Sequence, residues 1–198
     1  MLKKLTHNNH IAEKVVTNLD RLDVLLENRN MEEFKHAARR TFHDYTIEFY
    51  ELIGDILKTI GFVNVKITRE GDTNNRMDAV IIEAKRSIPI EIKSPREVEY
   101  INIKSVRQAL ENKIVLLSRA FYPTDGEITS LAIGFQYPNT RSGVFELLDD
   151  IKKTYGFNIG IIDFSDLLGL YYKSEKLAEE IDLESIYYLH GKYNAKEV

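Results

Sequence analysis

Two short runs, Met77–Ala84 (MDAVIIEA) and Ile88–Ser94 (IPIEIKS), decide the fold. The first carries apolar residues of both parities, the mark of a strand covered on both faces of its sheet. The second is rich in branched residues and is ended by Pro95, which cannot continue a ladder. Lys85-Arg86-Ser87 between them predicts a turn, so the two runs pair as a hairpin. Upstream, Phe62–Thr68 (FVNVKIT) alternates and supplies the first strand of a meander, with Gly71–Arg76 (GDTNNR) as its polar turn. Still earlier, Ile47, Tyr50, Ile53 or Gly54, Leu57 and Ile60 recur at helical spacing, and Gly61 is a natural stop. That helix, Thr41–Ile60, continues a helical run begun at Met31. Before it, Leu19, Leu22, Val24, Leu25 and Leu26 among acidic residues read as a further helix broken at Asn28-Arg29-Asn30.

Downstream, Ile103, Val106, Leu110, Ile114 and Leu117 lie three or four apart and favour one long helix within Ile101–Ala120, although Ile114–Leu117 alone also fits a short buried strand. Tyr122–Glu127 is a turn, Thr129–Phe135 a fourth strand and Gly143–Tyr155 a helix ending at Gly156. Phe157–Asp163 is a fifth strand, and the remainder reads as helical, with Asp182 an N-cap for Leu183–Leu189. The expected fold is therefore α/β: a mixed five-stranded sheet flanked by helices, in which a hairpin meander feeds parallel crossovers. The expected organisation is an N-terminal helical segment, residues 1–40, ahead of a domain spanning 41–198.

Composition narrows the function. The 198 residues are 43% hydrophobic and 29% charged, enough apolar material for a sizeable core. Zero cysteines exclude a thiol nucleophile, a disulfide framework and any cysteine-held zinc or iron–sulfur site, and fit a reducing, cytoplasmic address. No apolar signal core follows Met1–Thr6, and no run of apolar residues is long enough to span a bilayer. No phosphate-cradling G-x-x-x-x-G-K-[ST] occurs, which argues against NTP hydrolysis. The net charge of -4 lowers the expectation of bulk electrostatic binding to nucleic acid, but metal-neutralised carboxylates with gathered Lys and Arg are compatible with it.

Asp78, Glu91 and Lys93 carry the chemistry. With the turn centred near Arg86, Asp78 falls opposite Lys93, and Glu91 shares a face with Lys93 while Ile90 and Ile92 take the other. Charges on strands that otherwise read as core are costly unless paired or bound to a metal. Two carboxylates, the carbonyl of Ile92 and waters make a hard, all-oxygen site suited to Mg²⁺, and Lys93 is placed to assist an attacking water, a set suited to phosphodiester hydrolysis. The competing reading is a cross-strand salt-bridge network on a solvated face, against which the apolar strands on both sides argue. Other E-x-K tripeptides lack this context: Glu33-Phe34-Lys35 and Glu111-Asn112-Lys113 fall on helices, and Glu83 of Glu83-Ala84-Lys85 lies about 16 Å along the strand from Asp78 at ~3.3 Å per residue.

These residues resemble the PD-(D/E)XK nuclease superfamily: a helix carrying Glu48 or Glu51, Asp78 in Arg76-Met77-Asp78-Ala79-Val80, and Glu91-Ile92-Lys93-Ser94-Pro95. Met77 departs from the proline of the family's name. The resemblance spans roughly Thr41 to Asp163. The order of elements after it, through Phe164-Ser165-Asp166-Leu167-Leu168 to His190-Gly191-Lys192-Tyr193-Asn194, is similar to the cleavage domains of type IIS restriction endonucleases. The resemblance implies a restriction-endonuclease-like core and a Mg²⁺-dependent DNA endonuclease, with Mn²⁺ able to substitute. Asp78 and Glu91 would be metal ligands, Lys93 would be catalytic, and Glu48, or else Glu51, would be the helix carboxylate. It further implies double-stranded DNA as substrate, a separate recognition domain or subunit, and a transient dimer for double-strand cleavage. Rivals are a repair, recombination or transposition nuclease of the same fold, or an inactive module that binds DNA or protein.

Gln108, Lys104, Arg107 and Lys113 on the long helix, Arg141 in the loop after the fourth strand, and Arg69, Arg76 and Arg96 are candidates to face phosphates, with a solvated surface as the plain alternative. His7, His10, His36, His43 and His190 read as structural or exposed, and the pairs Tyr171-Tyr172 and Tyr187-Tyr188 read as packing, with a dimer or domain contact as the alternative.

Overall fold

A computed structural model describes residues 19–20, 22–23, 31–42, 46–68, 77–84 and 86–194. The Gly71–Arg76 turn, Arg69, Lys85 and His7, His10 and His43 lie outside the described residues. Helices α1 (Met31–Phe42) and α2 (Thr46–Thr59) precede strands β1 (Val65–Ile67), β2 (Ala79–Ile82) and β3 (Ser87–Lys93). Then follow α3 (Ile103–Leu117), β4 (Ser130–Gly134), α4 (Val144–Tyr155), β5 (Ile159–Asp163), α5 (Phe164–Lys176), α6 (Leu183–Tyr187) and β6 (Gly191–Lys192). The strands form one mixed sheet in the order β1-β2-β3-β4-β5-β6. The first three are antiparallel and the last three pair parallel. Each parallel step is bridged by a helix, because a parallel return needs a crossover rather than a tight turn. Gly61 closes α2 with φ of 120°, a conformation that a side chain resists.

Alternation along the strands builds the core on both sides of the sheet. Ile88, Ile90 and Ile92 with Leu131 and Ile133 pack against Phe49, Leu52, Ile53 and Ile56 of α2 and Leu167 and Leu168 of α5. Leu22, Ala38 and Phe42 belong to the same cluster. The opposite face sets Ala132, Ile159 and Ile161 against Val106 and Ala109 of α3 and Val144, Leu148 and Ile151 of α4. Burying both faces is what makes the central strands read as unbroken apolar runs.

Three expectations are corrected. The sheet has six strands rather than five, and the chain after Asp163 is not helical throughout. β6 is two residues long, too short to show an alternating pattern, and pairs with Gly160 and Ile161. Second, the hairpin pivots earlier than Arg86: Ile82 pairs Ser87 and Ala79 pairs Ile90, so one more step sets Asp78 opposite Glu91 rather than Lys93. The Glu83 N–H donates to the Arg86 carbonyl and closes the turn there. A shift of two residues leaves every side chain on its expected face. Third, Lys113 does not face phosphates: α3, the long helix expected, buries several polar positions along with only part of its apolar stripe. Ser105, Val106, Ala109, Asn112, Lys113 and Leu116 are inward, while Ile114 and Leu117 are 50% and 38% exposed. The polar members are buried because each meets a fixed partner. Ser105 closes the capping box with Asn102, and Lys113 Nζ donates to the carbonyls of Asp125 and Ile128. Lys113 is thereby removed from any phosphate-facing set.

Candidate active site

The site lies where β3 ends, between α2 on one side and α3 on the other. Asp78 directly precedes β2, and its carbonyl accepts from Thr68 N–H at 2.9 Å, which ties it to the end of β1. Its Oδ2 accepts from Ile92 N–H at 2.8 Å, across the hairpin. Glu91 is 2% exposed and both of its oxygens are engaged: Oε1 lies 2.7 Å from Lys93 Nζ, and Oε2 accepts from Asn112 Nδ2 of α3 at 3.0 Å. Lys93, 8% exposed, stands beside Gly134 of β4. A Cβ at Gly134 would lie 2.6 Å from Ile101 Cγ1, so only glycine lets the chain leading into α3 cross so closely.

A further carboxylate completes the cluster. Glu97 Oε2 accepts from Tyr50 OH (3.0 Å), Ser94 N–H (2.9 Å) and Ser94 Oγ (3.0 Å), and its Oε1 is 3.8 Å from Lys93 Nζ. The single Tyr50 proton is shared between Glu97 and the Ile92 carbonyl, 3.1 Å away.

Electrostatics follow from this crowding. Burial, and then the negative charge of Glu91, push the Asp78 carboxyl up to about 7, against the opposing pull of the Ile92 N–H and of Lys93. Burial by itself depresses the Lys93 ammonium, but its hydrogen bond to Glu91 and the surrounding carboxylates outweigh that and raise it, so it stays charged. Burial and the charges of Asp78 and Glu97 raise Tyr50, which keeps its hydroxyl a donor.

The structure therefore gathers half-buried Asp78 with buried Glu91, Ile92 and Lys93 into one group, which is not a solvated sheet face. Glu48 sits half-buried in the first turn of α2, whereas Glu51 is exposed. Lys104, Arg107 and Arg141 are exposed and Gln108 is half-buried, its Oε1 enclosed by protein. The loop bearing Arg141 returns next to α3: a Cβ at Gly143 would lie 3.7 Å from Ile103. Arg96 is exposed and Arg76 lies outside the described residues. His36 is exposed, and His190 is 3.8 Å from Asp149. Tyr171 and Tyr187 are buried while Tyr172 and Tyr188 are about half exposed, so each pair contributes one ring to the core.

Tyr50, Glu97 and Asn112 escaped the sequence reading. Asn112 lies one helical turn beyond Gln108 on α3, a spacing that was available as a signal. Tyr50 was legible only as a member of an apolar stripe, since its hydroxyl leaves no mark on periodicity. Among the described residues no group of three or more His, Asp or Glu side chains is arranged to hold a metal ion by itself, and no helix is long and apolar enough to cross a membrane.

The fold is a mixed α/β sheet in which a three-stranded antiparallel meander continues into parallel crossovers. Comparison with protein-family models, with curated proteins and with solved structures found no match to this chain.

Proposed function

We propose that this chain is a Mg²⁺-dependent DNA endonuclease of the PD-(D/E)XK type, the cleavage domain or subunit of a type IIS restriction enzyme. The observation that carries the reading is the excess of negative charge at the end of β3. Asp78, Glu91 and Glu97 surround one ammonium, and Asp78 is held toward protonation by its burial first and by the Glu91 charge second. A divalent cation fits that deficit. Asp78 and Glu91 would hold it together with the Ile92 carbonyl, which has a second lone pair beyond the one Tyr50 engages. With two carboxylates and a carbonyl as donors, water completes the coordination, which suits Mg²⁺ and admits Mn²⁺. When bound, the ion supplies a water of lowered pKa and offsets charge growing on a phosphoryl oxygen.

The chain's own groups do the remainder. Lys93, kept charged by its carboxylate neighbours, orients the attacking water and faces the developing negative charge. Glu48, at the start of α2, helps position metal or water. Asn112 fixes the rotamer of Glu91, and Tyr50 holds the Ile92 carbonyl in place. Exposed Lys104, Arg107 and Arg141, with Gln108 beside them, face the phosphate backbone of double-stranded DNA. In-line displacement leaves 5′-phosphate and 3′-hydroxyl ends. One such site serves one strand, so a double-strand break needs a second copy, and reading of sequence falls to another domain or subunit in the cytoplasm.

Nicking of supercoiled plasmid in Mg²⁺ tests the reading. Asp78→Ala and Lys93→Ala should each lower the rate by about two orders of magnitude or more. Cutting that survives both substitutions removes the site assignment. A wild-type chain inert in Mg²⁺ and Mn²⁺, with its recognition partner present, points instead to a module that binds without cutting. Preference for branched or single-stranded substrate moves the reading to repair or recombination.

A further inference from the structure

A divalent ion arriving at Glu91 meets a cation already there. Lys93 Nζ lies 2.7 Å from Glu91 Oε1, and Asn112 occupies Oε2. Two positive charges crowding one carboxylate oxygen repel strongly in a partly dry site. The ammonium must move, yet it cannot simply be left unpaired, because a buried charge without a partner is costly. Glu97 offers the destination. Its Oε2 is pinned by three donors, the Tyr50 hydroxyl from α2 and both the N–H and hydroxyl of Ser94. That pinning leaves Oε1 turned toward Lys93 at 3.8 Å, beyond hydrogen-bond range but within reach of the lysine's terminal torsions.

We propose that Glu97 is the receiving carboxylate of the site: when a divalent ion takes Glu91, Lys93 Nζ passes from Glu91 Oε1 to Glu97 Oε1, with Tyr50 and Ser94 keeping Glu97 aimed for the exchange. This rests on the reading of the site as a metal centre. Glu97 is then a positioning residue that acts through Lys93, and the lysine ends beside the ion without competing for its ligand. The three hydrogen bonds to a single Glu97 oxygen acquire a purpose, since they fix which oxygen faces the ammonium.

Calorimetric titration of Mn²⁺ and Mg²⁺ into the metal-stripped full chain tests this without reading activity. Glu97→Gln should weaken binding about tenfold in the wild-type background. Loss of one negative charge acts in any background, whereas the exchange acts only where the ammonium is present. In a Lys93→Met background the same substitution should therefore cost only about twofold, a coupling of roughly fivefold. Tyr50→Phe leaves every charge in place, takes one of the three donors from Glu97 Oε2 and lets go of the Ile92 carbonyl. It should weaken binding about threefold more with Lys93 present than with Lys93→Met, where only its hold on the Ile92 carbonyl is lost. If Glu97→Gln unfolds the chain, as a melting curve would show, the Tyr50→Phe pair decides alone. Equal losses in both backgrounds, or no loss in either, overturn the exchange while leaving the nuclease reading intact. A wild-type chain that binds neither ion overturns both.

Discussion

Asp78 has the most to lose from the crowding at the end of β3. Burial first, and the Glu91 charge second, hold its carboxyl near 7, well above the value of about 3.9 in an unfolded chain. Between those two values the folded state keeps a proton that the unfolded state releases. Stability from this group is therefore full below about pH 4 and is lost as pH rises through 7. Asp78→Asn carries no such proton. With chelator present, the stability of that variant relative to wild type should move in its favour by on the order of 2 kcal/mol between about pH 4 and pH 8, as read by urea unfolding. An unchanging difference across that range would show that Asp78 is ordinarily ionised. The acidic and basic types at 78, 91 and 93 were legible in the sequence because charges stood out among apolar neighbours. Their partners were not. Glu97 follows β3 in a polar stretch, and Tyr50 and Asn112 lie on helices that only packing brings to the site.

At the scale of elements, α3 is where periodicity and burial part company. Its apolar stripe is buried at Val106 but exposed at Ile114 and Leu117, because Asn112 must reach Glu91 and Lys113 must reach the loop before β4. Lys113 is wholly enclosed, and burial lowers its ammonium to about 8 despite the nearby Asp125 carboxylate. Lys113→Ala removes its packing and orphans the carbonyls of Asp125 and Ile128, at an expected cost of about 2–4 kcal/mol in chemical or thermal unfolding. A cost below about 0.5 kcal/mol, typical of surface positions, would mean the loop is held by other contacts. Gly134→Ala, which sets a methyl against Ile101, should destabilise by about 1–3 kcal/mol and disturb the end of β4 beside Lys93. The helix stop at Gly61, the cap at Asp182 and the strand runs at β2 to β5 were legible because each depends on residues adjacent in the chain. The hairpin register was not, since the pivot is set by the turn at Glu83–Arg86 and by Arg86 lying over the Tyr187 ring, 101 positions further on by simple subtraction of the residue numbers.

For the molecule as a whole, a sheet covered on both faces places the charged cluster at one end, where the strands stop, with Glu91 and Lys93 buried and Glu97 open to solvent. On the proposed function, each chain serves one strand of a duplex. Nicking of plasmid should then rise in proportion to protein concentration, while linearisation should rise more steeply, as two copies must meet. Linearisation that tracks nicking at first order would require a single chain to cut both strands and would remove the need for a second copy.

What the sequence determined alone is the class of fold and the identity of the charged trio, because hydrophobic period and residue type are local properties carried by each segment. The tertiary structure decided the pairing register, the sixth strand, the buried face of α3 and the recruitment of Tyr50, Glu97 and Asn112. Those depend on which distant surfaces meet, and the energy that selects them, a buried charge finding its partner, does not exist until the chain has closed around it.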